Sequence, residues 1–328
     1  MNAYLRRAAR DYGLPAALFA VAWVAMLASR SGVGETSIFP VLDNFGLLGL
    51  LALGIGVTMI AGELDLSIAS MAALMGVIAV KAQGAGLYGA LVIATTAGVA
   101  LGAAQGYAIA RLRINSVVFT IGTLILFRGF ALLFSDQPIP LNDPFQGLPL
   151  LNRTGVLSVS IGIALGVFVV IGVALAFLRP GREIYAVGGD RHEAAAAGVN
   201  VRRSIILSFA ISGACAALAG AIAAYKGGSA DPQAFEPQLL QAASAAVIGG
   251  ISIRGGRGTI LNIAIGVGIL SAIFAGMADR GAAEYVTELV TGGLLVAVIA
   301  GEWLSGRLGQ RAIVRKHHLA TRKAAAGA

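Results

Sequence analysis

The sequence predicts an all-α, polytopic membrane protein of about ten transmembrane helices, with short or broken helices in each half. Three observations carry this. Hydrophobic residues make up 57% of the chain and charged residues 12%, against about 25% charged in soluble domains. Apolar runs approaching the roughly 20 residues needed to cross a bilayer recur along the whole chain. Lysines and arginines gather between the runs rather than within them. The net charge of +8 is therefore read as orienting the chain in a membrane rather than binding nucleic acid.

Ten apolar segments follow in order: residues 14–29, 41–61, 67–80, 86–110, 117–134, 155–178, 204–225, 242–253, 259–277 and 285–304. Arg6, Arg7 and Arg10 before Leu14–Ala28 imitate a signal peptide. Every later segment is also membrane-embedded and no soluble domain follows, so the first run is read as a retained span. With the N-terminus inside, 18 of the 24 lysines and arginines fall inside and five outside, with Arg128 within a span. That bias fits ten spans with both termini cytoplasmic. The expected organisation is a cytoplasmic segment 1–13, a permease domain 14–304 containing a cytoplasmic loop 179–203, and a basic tail 305–328.

Two segments are too short. Ser67–Val80 and Ala242–Ile253 would reach only about 20 Å at 1.5 Å per residue, against a hydrocarbon core of about 30 Å. Each adjoins a glycine-marked polar stretch: Gly62–Ser67 before the first, Ile251–Gly258 after the second. Interrupted segments in the two halves point to a transport path; ordinary turns are the plainer alternative. Glu63, Asp65, Ser67 and Ser252 are the candidate path residues. A carboxylate at membrane depth marks a pathway or a pair, yet Asp65 or Ser67 would equally serve as a helix N-cap. Arg128 is expected either to snorkel to the outer surface or to pair with a carboxylate in the bundle. Gly98, Gly102 and Gly106, and likewise Gly162 and Gly166, recur every fourth residue and are read as internal packing contacts rather than a dimer seam. Pro138, Pro140, Pro144 and Pro149 gather in the long outside loop 135–154, which is polar enough to receive a partner.

Arg179–Arg203 is the longest strongly charged interruption, with eight charged residues. Residues 190 to 199 read as a short helix. Asp190 caps its start, Glu193 suits the positive end of its dipole, Ala194 and Ala195 favour helix, and Gly198 stops it. Arg202 and Arg203 follow. A transporter driven by a separate motor needs such a handle.

Chemistry of other kinds is missing from the sequence. Gly249–Gly258 (GGISIRGGRG) imitates a phosphate loop but lacks the lysine followed by Ser or Thr. No nucleotide-binding motif occurs, and His192, His317 and His318 have no metal-site spacing. The single Cys215 lies in an apolar run and reads as a packing residue. No enzyme activity and no cofactor are expected.

Four stretches carry a resemblance. MIAGELDLSIASMAALMGV, from Met59, resembles the G-x-[IL]-D-L-S-[VI]-x-S pattern of the inner-membrane permeases of ribose-type ABC sugar importers. GREIYAVGGDRHEAAAAGVNVRR, from Gly181, resembles their cytoplasmic loop. AAVIGGISIRGGRGTILNIAIGV, from Ala245, resembles their third landmark, and RINSVVFTIGTLILFRGFALLF, from Arg113, their fifth span. The likeness covers about residues 40–305. Glu63 and Ala69 stand where glycine is usual, and Arg254 with Arg257 makes the last loop more basic. The resemblance implies an all-α permease in the bacterial inner membrane, paired with a second permease copy. A cytoplasmic ABC ATPase would drive it and a periplasmic sugar-binding protein would deliver a monosaccharide or polyol. Asp190, Glu193, Ala194, Ala195, Gly198, Arg202 and Arg203 would lie in or beside the ATPase-coupling helix. An ion-coupled secondary transporter, using Glu63 or Asp65 without an ATPase, is the alternative.

Overall fold

The computed structural model describes residues 13, 15–24, 35–283, 285–298 and 300. The expected tail, most of the N-terminal segment and parts of the first and last apolar segments lie outside the described residues. The helices are α1 (Pro15–Val24), α2 (Glu35–Ile60), α3 (Ile68–Lys81), α4 (Gly86–Leu112), α5 (Ser116–Phe134), α6 (Leu148–Leu151), α7 (Val159–Phe177), α8 (Arg179–Gly189), α9 (Arg191–Ala196), α10 (Val201–Gly227), α11 (Glu236–Gly249), α12 (Ile260–Asp279) and α13 (Tyr285–Val298). Among the described residues, six helices are long and apolar enough to cross a membrane: those ending at Ile60, Leu112, Phe134, Phe177, Gly227 and Asp279. A separate compact unit begins at Ala283 and contains α13.

The core is built around α10, which packs on α2, α3 and α4. Its inward residues are small: Ser208, Ser212, Gly213, Ala216, Ala217, Gly220 and Ala221 are all buried. Small side chains let backbones meet where lipid supplies no hydrophobic drive between helices. A Cβ at Gly213 would stand 2.1 Å from the Gly98 carbonyl oxygen, one at Gly102 2.2 Å from that of Phe209, and one at Gly220 1.8 Å from that of Ala72. The Gly98–Gly102–Gly106 row is thus an internal seam against α10. Gly162 and Gly166 differ: no neighbour lies within 4 Å of a Cβ built at either. Their expected internal contact is not made, because that side of α7 is turned away from the helices it packs on.

Beyond the far end of α10 the chain is strapped down. Strand β1 (Ile139–Pro140) pairs antiparallel with β4 (Ser229–Ala230), while β2 (Arg153–Thr154) and β3 (Leu157–Ser158) form a hairpin. Residues 135–154 are therefore an ordered cap, and α7 starts at Val159 rather than near residue 155. Lys226 is paired with Asp43 of α2, and Arg128 of α5 with Glu236 of α11 at 2.6 Å. Both side chains are about half exposed, so Arg128 meets a carboxylate at the surface rather than inside the bundle.

Both short helices are 14 residues long. The first falls where expected. The second runs over Glu236–Gly249 instead of 242–253, because Pro237 starts it early and Gly250, at φ 102°, ends it in a left-handed cap.

Candidate coupling site

The charged loop 179–203 contains two helices. In α8, Ile184, Val187 and Gly188 are buried on one face while Arg179 and Arg182 are exposed, an i, i+3, i+4 pattern. Pro180 sits in its first turn. Gly181 backs onto α7, where a Cβ would come within 2.4 Å of the Leu175 backbone. The chain therefore folds straight from α7 into α8. The short helix α9 follows with Asp190 as its cap. The Asp190 carboxylate accepts the amides of His192 (2.7 Å) and Glu193 (2.9 Å), satisfying two donors that the helix start leaves open. Those two donors, Glu193 first, hold its pKa below the ordinary aspartate value.

α9 ends sooner than the sequence suggested, at Ala196, and its last turn closes through Gly198. The Gly198 amide donates to the Ala195 carbonyl and that of Val199 to Ala194. At φ 80° and with open space around it, Gly198 suits glycine for its backbone angle alone. Ala194 is the anchor: it is buried with Ile109, Val187, Ile205 and Phe209. Glu193, Ala195, Gly198, Arg202 and Arg203 are exposed. A cavity of about 280 Å³ opens beside them, lined by Arg179, Pro180, Glu183, Gly198, Asn200 and Arg203. Of the seven candidate coupling residues, Glu193, Ala195, Arg202 and Arg203 thus present their side chains outward and Gly198 an open backbone, while Ala194 pins the helix and Asp190 starts it.

The three landmark stretches of the sequence converge behind α9. A Cβ at Gly188 would lie 1.8 Å from the Ile60 carbonyl oxygen at the end of α2 and 2.7 Å from the Gly256 nitrogen. The Gly256 amide donates to that same Ile60 oxygen at 2.9 Å. Gly62, Gly255 and Gly256 all have positive φ, which lets three backbones touch where any side chain would hold them apart. Arg191, the first residue of α9, donates to the Gly62 carbonyl at 3.2 Å and to the Glu63 carboxylate at 2.7 Å.

Beyond this junction the stretch from Gly62 to Ser67 runs alongside α5. The Leu64 amide donates to Ser116 Oγ at 3.1 Å and the Leu66 amide to Thr120 Oγ1 at 3.2 Å. Thr120 returns a bond to the Leu64 carbonyl. Gln105 of α4 then bridges Ser67 Oγ (2.9 Å) and Thr123 Oγ1 (2.6 Å). Ser116, Thr120 and Thr123 share one face of α5 and span about 10 Å along it. The extended segment supplies the reach that α3 lacks, with its backbone groups bonded to protein as a bilayer interior requires.

Asp65 is completely buried. Its Oδ1 accepts the Ser67 amide (3.0 Å) and hydroxyl (2.6 Å), and its Oδ2 accepts Ser212 Oγ of α10 (2.7 Å). Ser67 is the residue before α3, but its side chain makes no capping bond to the helix. Glu63 is buried against Arg191. Ser252, expected beside these, lies apart in the second break, where its hydroxyl accepts the Arg254 amide at 3.2 Å. Sequence reasoning missed α8, Arg191 and Gly188. The spacing of Ile184, Val187 and Gly188 carried a signal for α8. Nothing local marked Arg191, whose partner is 128 residues away.

Among the described residues, no group of His, Cys, Asp and Glu could hold a metal ion. The arrangement fastens an exposed helix to two helix breaks. Residues 37–299 match the family model described as branched-chain amino acid transport system, permease component. The D-allose transport system permease protein of Escherichia coli K12 is 31% identical over 76% of this chain and 78% of its own. The L-arabinose transport system permease protein of the same strain is 32% identical over 76% and 77%. The ribose import permease protein of Bacillus subtilis 168 is 29% identical over 86% and 88%. No solved structure matches the chain. The chain is a polytopic transport permease and not an enzyme, and it belongs to the branched-chain amino acid transport system permease component family.

Proposed function

We propose that the protein is the membrane subunit of an ATP-driven ABC importer in the bacterial inner membrane, carrying a monosaccharide or related polyol. The observation that carries this reading is α9: a capped helix displayed on the backbone junction of both helix breaks, in a chain with no nucleotide-binding motif. A cytoplasmic ATPase grips α9 through Glu193 and Ala195, and the chain just after it through Gly198, Arg202 and Arg203. A periplasmic binding protein delivers substrate at the opposite face, and a second permease copy completes the path. Asp65 and Ser67 brace the wall of that path, Glu63 holds its first break to α9, and Ser252 lies in its second break. Both termini are cytoplasmic, on the charge bias given above.

The test is uptake into proteoliposomes holding the permease with its co-purifying ATPase and binding protein. Labelled ribose, allose and arabinose, the sugars named by its relatives, are offered alongside leucine. The reading expects sugar uptake that requires ATP on the ATPase side and ignores imposed proton or sodium gradients. Gradient-driven uptake without ATP, or uptake of leucine alone, would contradict it. Cysteine labelling gives the orientation: single cysteines in 135–154 and in 182–203 should react from opposite sides, and reaction of both from outside would overturn the topology.

A further inference from the structure

A displayed helix explains where a motor would hold the permease but not how the hold reaches the membrane. Arg191 supplies a specific route. It is the first residue of α9, beside the cap, and one of its guanidinium nitrogens bonds both the Gly62 carbonyl and the Glu63 carboxylate. The Glu63 side chain is 4% exposed and that of Arg191 48%. A nearly buried carboxylate holds its cationic partner firmly, because separation would leave the charge to the Ser116 hydroxyl alone. Glu63 is followed directly by Leu64–Ser67, which α5, α4 and α10 fix through Ser116, Thr120, Gln105 and Ser212. A pull on α9 therefore arrives at an extended segment whose next carboxylate is bonded to the central helix.

We propose that Arg191 and Glu63 are positioning residues of transport, forming a tie that makes α9 and the break after α2 move as one body. This rests on the reading of α9 as the ATPase handle. The contact itself lies beneath the handle: the Glu63 side chain is buried, and Arg191, half-exposed on α9, directs one guanidinium nitrogen at it. Loss of the tie leaves the ATPase bound but disconnects its stroke from the membrane helices.

The experiment uses the full permease with its ATPase in proteoliposomes, after confirming membrane insertion of each variant. Arg191→Gln and Glu63→Gln should each retain the ATPase on co-purification while substrate-stimulated ATP hydrolysis falls about tenfold. The double variant should fall no further than either single change, because both remove one interaction. A covalent replacement supplies the second arm. Glu63→Cys with Arg191→Cys, in a Cys215→Ala background, is bridged with a short bifunctional thiol reagent. Bridging should restore coupling relative to the unbridged protein. Normal coupling in the single variants would overturn the proposal, as would additive losses or a bridge that abolishes transport. Detachment of the ATPase from Arg191→Gln would also overturn it, by making Arg191 a docking contact. Failure of the handle itself shows separately: Glu193→Lys and Gly198→Val would then keep the ATPase bound and coupled.

Discussion

Gly62–Ser67 and Gly250–Thr259 both interrupt the helical run, yet buried side chains cross-link the first along its length, while the second is fastened at its glycine junction and at its edges. In the first, Asp65 and Ser67 are completely buried, and bonds run to α4, α5 and α10. In the second, Ile253, Arg254 and Arg257 are exposed, and Gly250, Gly255, Gly256 and Gly258 take positive φ. Its fastenings lie at its edges. Asn262 Nδ2 donates to the Gly249 carbonyl at 2.7 Å, Thr259 and Asn262 form a capping box on α12, and Gly256 bonds Ile60. A segment cross-linked by buried side chains keeps its shape when pushed. The second is packed at Ile251 and at the glycine junction, but its exposed stretch at Ile253 and Arg254 has no buried side chain to cross-link it and changes shape at lower cost. The difference assigns rigidity to the first break and accommodation to the second, on either side of one glycine junction.

The largest break in this comparison comes where the two segments meet. Gly188→Val drives a side chain into the Ile60 carbonyl and displaces both breaks at once. The expected loss is about 3 kcal/mol or more, read as a fall in the melting temperature of the detergent-solubilised permease and loss of uptake. Next is Asp65. Replacing it by Leu strands the Ser67 amide, the Ser67 hydroxyl and the Ser212 hydroxyl, costing about 3 kcal/mol in all, and uptake should be lost. Asp65→Asn keeps an acceptor for Ser67 and a partner for Ser212, and should retain most uptake. Loss of uptake in the Asn variant, with normal insertion, would mean that the charge itself works in transport.

The second break should respond more mildly. Gly255→Ala places a side chain at φ 86° and brings a Cβ within 2.6 Å of the Gly188 carbonyl. We expect about 1–2 kcal/mol, seen as a smaller shift in melting temperature than Asp65→Leu gives. Ser252→Ala removes one exposed turn bond and should change stability by no more than about 0.5 kcal/mol. A Ser252 effect equal to that of Asp65 would erase the distinction between the breaks.

Much of the architecture was legible because apolar runs and arginine placement are properties of single segments. The long spans, the first break and the Asp190 cap all declare themselves locally. The second short helix was placed several residues late because its opening turns, from Glu236, are polar and its apolar stretch begins afterwards. α8 was hidden by Arg179, Arg182 and Glu183, which outweigh three buried positions in composition though not in pattern. Two glycine rows with identical spacing took different environments, since spacing sets what a helix face permits and tertiary packing decides whether a neighbour uses it. The Arg191–Glu63 contact is a matter of tertiary geometry alone.

The central claim is that the helix Arg191–Ala196 is where the motor holds this permease. Ala195 is exposed on it, and Phe145, 70% exposed, lies on the loop beyond the other end of α10. A photo-reactive residue at each position, irradiated in proteoliposomes containing the ATPase, tests the claim most directly. The account predicts that position 195 captures the ATPase and position 145 does not; capture from 145, or none from 195 in a complex that hydrolyses ATP in response to substrate, would contradict it.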